Sequence, residues 1–153
     1  MTEAGAVRAE PILRDVRQKI VQFFLRKGRS ELLLGDPLLA LDTYEQLLQI
    51  DPQSVEGWRG KINAISTQPT LLEEKIDLYK DQRGEGPDPA LSHYKYGLAL
   101  SYQDPNSSRA MEAVQKAISL DPSVPFYYLT QGFLYEQQFR ERESRGRTEY
   151  QLL

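Results

Sequence analysis

Few residues in this chain have the types and spacing that chemistry requires. There are no cysteines, so thiolate metal sites and disulfides are both excluded. The single histidine, His93, stands in "LSHYKYG" and cannot anchor a multi-histidine centre; its setting reads as a packing position. The stretch "RGEGPDP", residues 83–89, contains Gly-x-Gly, but no strand precedes it and no phosphate-loop lysine follows, so it reads as a turn before a helix. Glu73 and Glu74 are neighbours on a helical stretch, which points their carboxylates apart rather than toward a shared proton. Neither G-x-S-x-G nor H-E-x-x-H occurs. The expectation is a protein that is not an enzyme, with no catalytic residue, metal or cofactor, whose work is binding.

Composition narrows what is bound. The 153 residues are 40% hydrophobic and 27% charged, enough to bury a core in a globular domain. Apolar runs such as "LLL" and "FFL" are too short to span a bilayer, and the start "MTEAGAVRAEP" lacks the pattern of a signal peptide. A cytoplasmic or equivalent reducing compartment is therefore expected. The net charge of −3 is unevenly spread: residues 8–29 carry seven basic against two acidic residues, while 31–153 carry twelve against nineteen. An acidic body argues against nucleic acid as a partner. The basic first helix leaves room for an acidic protein or an anionic surface.

Five of the nine prolines follow aspartate, at Asp36, Asp51, Asp88, Asp104 and Asp121. Aspartate accepts from the free amides of a helix start and proline tolerates the first turn; elsewhere the same pair stops a helix. These dipeptides mark boundaries. Between them apolar residues recur at helical spacing, predicting helices near 11–34, 37–50, 54–66, 70–82, 89–102, 107–120 and 124–139, with no strand-like run of useful length.

The marks repeat. Ala40 to Ala110 and Pro52 to Pro122 are each 70 residues apart, and Gly97 to Gly132 is 35, giving a period of 34–36 with a weaker copy between. A two-helix unit cannot bury its apolar face alone; stacking neighbours completes the core. The pattern resembles the tetratricopeptide repeat (TPR). The unit 21–54 has Phe24, Gly28, Ala40, Tyr44 and Pro52 in place, departing at Lys27 and Glu31. The second keeps Trp58 but has Lys61-Ile62 for Leu-Gly, and the third has Tyr96-Gly97, Ala110, Val114, Ala117 and Pro122. A fourth first-helix reads "YLTQGFLY", with Tyr128, Gly132 and Tyr135. The resemblance implies an all-α, right-handed α-α superhelix, a TPR-like solenoid of about three repeats plus flanking helices. Its expected organisation is a flexible segment 1–10, repeats over 11–139 (units about 21–54, 55–88, 89–122 and a partial 123–139), and a charged cap or tail over 140–153.

It also implies a non-enzymatic protein–protein interaction module, a scaffold or adaptor of assembly or chaperone type. First helices in this family line a concave groove that holds a partner peptide or helix. Carried over, the groove positions are Gln22, Leu25, Arg29 and Leu32, then Arg59, Asn63 and Ser66. Tyr94, Lys95, Leu98 and Tyr102 follow, then Phe126, Leu129, Phe133 and Gln137. Arg29, Arg59 and Lys95 would attract acidic groups, Asn63 would bond peptide backbone, and Tyr94, Tyr102, Phe126 and Phe133 would be apolar anchors. Arg59, Asn63 and Lys95 look like parts of a carboxylate clamp, but Leu25 and Arg29 replace its lysine and asparagine. Large apolar groups facing a groove call for a cover, and an amphipathic helix, or a peptide with an acidic and an apolar end, suits the mixture. Two other classes stay open: a homo-oligomer assembled through the long first helix or the tail, and an RNA-reading helical repeat, which the acidic body disfavours.

Overall fold

The computed structural model describes residues 3–151, with side chains from Glu10 onward. Its secondary structure is wholly helical: α1 (Glu3–Leu33), α2 (Pro37–Ile50), α3 (Val55–Ser66), α4 (Pro69–Asp81), α5 (Pro89–Gln103), α6 (Ser108–Leu120) and α7 (Pro125–Gln151). The all-α class follows directly. The backbone divides into two compact units, one ending at Ala64 and the other beginning at Ile65.

The Asp-Pro pairs act in both of their senses. Asp36 and Asp88 open α2 and α5: each carboxylate accepts from the amide three residues on, Leu39 or Leu91, at 3.1 Å, with proline in the first turn. Asp51, Asp104 and Asp121 close helices, their amides donating to the carbonyls of Leu47, Leu100 and Ala117. The repeat is visible in atoms as well as letters. The Trp58 indole donates to the Pro52 carbonyl at 2.8 Å, and the Tyr128 hydroxyl donates to the Pro122 carbonyl at 2.9 Å, the same six-residue link 70 positions later. In "RGEGPDP", Gly84 and Gly86 both have φ near +80°, so the glycines serve a turn.

In the first unit, α1 and α2 form a hairpin whose core holds Leu25, Ala40, Tyr44, Leu47, Leu48 and Ala64. The Tyr44 ring lies between two glycines. A Cβ at Gly28 would meet it at 2.7 Å, and one at Gly60 at 2.1 Å. Neither helix could approach that ring with a side chain in the way. The unmatched Lys61-Ile62 is thus compensated by Gly60, which the repeat pattern does not place there.

The other departures, Lys27 and Glu31, form a polar knot. Glu31 is buried, accepts from the Thr43 hydroxyl at 2.6 Å and pairs with the Lys27 ammonium, which also reaches Thr43 Oγ1 at 2.9 Å. A buried carboxylate is tolerable because each oxygen has a donor.

Two helix limits differ from expectation. α1 continues through Pro11 to Glu3, so the expected segment 1–10 is helical from Glu3, residues 1 and 2 lying outside the described ones. Proline removes one helical bond, but the preceding "EAGAVRAE" is rich in alanine and glutamate, which favour helix. α7 runs unbroken past 139 and through Gly146. Glu136–Arg140 and Glu141–Arg145 pairs one turn apart support it there; of "YQLL", Leu152 and Leu153 lie outside the described residues.

In the second unit α5 packs against α4, α6 and α7, and ten of its fifteen residues are buried. Gly97 permits the closest contact: a Cβ there would meet Val114 Cγ2 at 2.9 Å and Ala113 Cβ at 3.0 Å. Replacing Gly60 or Gly97 with alanine should overpack these seats and cost ~1–3 kcal/mol, whereas Gly132→Ala, with nothing within 4 Å, should stabilise its helix by up to ~1 kcal/mol. Urea denaturation of the three variants checks this; a neutral Gly60→Ala would remove the ring-on-glycine account. Thr43→Val should cost about 1–3 kcal/mol in the same assay, toward the lower end because Lys27 still serves Glu31.

Candidate interaction surfaces

The residues expected to bind a partner separate into three groups. In the first unit Arg29 is exposed on α1 and its guanidinium reaches the Glu56 carboxylate at 3.4 Å. Arg59 is half-buried and Asn63 exposed on α3, while Leu25 belongs to the core. Alongside α1 lies a cleft of about 740 Å³ lined by Arg14, Arg17, Lys19 and Arg26, with Asp15, Asp51 and Glu56 offsetting them. Arg17 is committed there, donating to the Ile50 carbonyl at the end of α2 at 2.6 Å.

In the second unit, Lys95 is half-buried with its ammonium 5.2 Å from the centre of the Tyr79 ring. Tyr102 is exposed on α5; Phe126 is half-buried and Phe133 exposed on α7. These side chains are accessible to a ligand.

Tyr94 is not. It is 0% exposed, its ring 4.5 Å from that of Tyr127 and its hydroxyl 2.7 Å from Thr130 Oγ1. The expected role of Tyr94 as an apolar anchor is therefore corrected: it holds α5 to α7. The reason is that α5 is enclosed on several sides, so helical spacing cannot tell an outward-facing position from one covered by α7. Leu98 is buried for the same reason. Burial, with help from Asp88, Asp121 and Tyr94, raises the Tyr127 hydroxyl above its ordinary value, so that hydroxyl stays neutral.

α7 carries more than the groove positions anticipated. Tyr127, Thr130 and Leu134 are buried against the unit. At about 100° per residue, the opposite side of the helix is centred on Gly132. Around that glycine, Tyr128, Leu129, Phe133, Tyr135 and Phe139 are all exposed, Leu129 and Phe139 at 61%. The helix is apolar on two opposite sides. Tyr128, Tyr135 and Phe139 were missed as surface residues, although their spacing with Gly132 (128, 132, 135, 139) is itself the signature of one helical stripe.

A second concavity of about 380 Å³ is lined by Lys80 in the last turn of α4, Arg83 just after it, His93 and Tyr96 of α5, and Arg109, Glu112, Ala113 and Lys116 of α6. Its cations come from three segments, so no run of basic letters announced it. Arg83 lies over the Tyr96 ring, 4.9 Å from its centre, and its Nε–H donates to the Lys80 carbonyl at 3.0 Å.

No cluster of metal-ligating side chains occurs among the described residues, and no helix there is long and apolar enough to cross a membrane. No family model matches the chain, and no curated protein matches it. Among solved structures, one similar chain is MamA 41-end from Desulfovibrio magneticus RS-1. It is 19% identical, with a TM-score of 0.43, covering 86% of this chain and 75% of that one.

His93 titrates against this background. Burial first, then Lys116 and Arg83, hold its pKa below the ordinary imidazole value. The folded state thus disfavours the protonated ring. The contribution is neutral above the unfolded value of about 6.5 and turns unfavourable as pH falls from there through the lowered folded value. Denaturant midpoints should decline over that window, and His93→Gln should flatten this part of the decline. An unchanged pH slope in the variant would assign the decline to other groups.

Proposed function

We propose that this protein is a non-enzymatic interaction module, a scaffold or adaptor that takes an amphipathic helix of a protein partner on α7. One observation carries the reading: Gly132 repeats Gly97 at the 35-residue period, yet a Cβ at Gly97 meets α6 while one at Gly132 meets nothing within 4 Å. The exposed side chains around it are those a second helix would cover. A helix with small residues at its crossing, as α6 has Ala110, Ala113 and Val114, fits that seat. Phe133 extends the apolar contact on α7, while Phe126, Tyr102 and Lys95 form a separate contact of the second unit in this proposal, apolar with one cation for an acidic group. Arg29, Arg59 and Asn63 belong to the first unit and form a separate polar contact in this proposal.

A second reading rests on α1, where Ile12, Leu13, Val16, Ile20 and Phe23 are all exposed. Their partner there would be another copy of the chain. Sedimentation velocity over a concentration series separates the two readings.

The decisive variant is Gly132→Leu, which fills the seat, keeps the apolar surface and favours helix. With a photo-crosslinking side chain at position 139, the wild type should capture a different protein that rebinds in purified form. Gly132→Leu should weaken that binding at least ~tenfold, equivalent to about 1.4 kcal/mol. Equal binding by Gly132→Leu, or crosslinks only to further copies of the chain, would remove the helix-seat reading.

A further inference from the structure

The cleft over α5, between α4 and α6, has a composition that the proposed partner helix does not use. Four of its side chains, Lys80, Arg83, Arg109 and Lys116, are cationic and one, Glu112, is anionic, in a chain whose net charge is −3. None of the four forms an ion pair among the described residues. Lys19, Lys27, Arg29, Lys61, Arg140 and Arg145 all do. The cleft beside α1 also holds four cations, but three carboxylates offset them. Four like charges with one carboxylate among them repel one another on balance, and a bound anion relieves that repulsion.

The arrangement is also ordered. Arg83 is fixed in place by its stack on Tyr96 and its bond to the Lys80 carbonyl, which uses Nε and leaves the two terminal nitrogens of the fork unbonded among the described residues. A planar fork held this way pairs with two oxygens of one anion, and Arg109 supplies a second fork. We propose that this cleft binds a phosphate monoester dianion. A single carboxylate would leave most of the positive charge unanswered. The volume of about 380 Å³ admits a group the size of a sugar phosphate. The phosphate is carried either by a small molecule or by a phosphorylated side chain of a protein, and both present the same three oxygens.

His93 reports occupancy. Lys116 and Arg83 hold its pKa down after burial has done so, Lys80 and Arg109 share the cleft, and Glu112 is the one opposing carboxylate. A dianion among them counters the cations, so its binding moves the His93 titration midpoint upward.

The test is an NMR titration of the full chain at low ionic strength, following the His93 ring protons and the Gly84 amide. Inorganic phosphate is the first probe, followed by glucose 6-phosphate and by a phosphoserine peptide with its unphosphorylated form. The expected result is a saturable shift with phosphate and an upward His93 midpoint. In Arg109→Gln/Lys116→Gln, whose folding is checked by circular dichroism, phosphate should bind at least ~tenfold more weakly. Tighter binding of glucose 6-phosphate assigns a small-molecule source, and tighter binding of the phosphopeptide assigns a protein source. A response matched by chloride at equal ionic strength, or undiminished in the double variant, overturns the proposal.

Discussion

The architecture depends on how closely one helix can approach the next. Side chains set that distance, and in this chain it is set by what is missing. The Tyr44 ring fits only because Gly28 and Gly60 carry no Cβ, and α6 reaches α5 only because Gly97 carries none. With a methyl group at any of these places, the helix must move outward or the ring must turn. Buried contacts in the same unit would then loosen, those of Leu47 beside the Tyr44 ring or those of Val114 and Ala117 beside Gly97. A glycine with no Cβ at the crossing is thus the constraint, set against an aromatic ring in the first unit and against Val114 and Ala113 in the second, and the rest of each core packs within the spacing it allows.

The same constraint explains how a departure from the repeat pattern is absorbed. Lys61-Ile62 stands where Leu-Gly is usual, and the chain supplies Gly60 instead. Lys61 then turns its ammonium over the Trp58 ring at 5.1 Å and toward Glu45 at 3.7 Å. Lys27 and Glu31 are absorbed differently, by closing a buried triangle with Thr43. In each case the odd residue finds a partner that only the folded neighbour provides.

That is also where sequence reading reaches its limit. Helix boundaries were legible because caps are local: Asp36 and Asp88 bond to amides three residues away. The repeat was legible because Pro52 and Pro122 close equivalent turns. Whether a helix position faces outward is not local. Leu98 and Phe133 stand 35 residues apart, at equivalent places in the periodicity, yet Leu98 is buried and Phe133 is exposed. The basic cleft was invisible for a related reason. Arg83, Arg109 and Lys116 are separated by turns and helices, and only the packing of α5 brings them around one space.

The two surfaces of the second unit meet through α6. Gln115 donates to the Tyr135 hydroxyl at 3.3 Å on the open side of α7, while its neighbour Lys116 lines the cleft. Adjacent residues on a helix point about 100° apart, so one element serves both faces without either side chain obstructing the other. The chemistry of the faces differs accordingly. The α7 side offers apolar area, whose attraction survives salt, and the cleft offers charge, whose attraction is screened by it. Raising ionic strength would therefore weaken the anion proposed for the cleft while leaving the helix proposed for α7 largely in place, so salt alone would resolve one surface from the other.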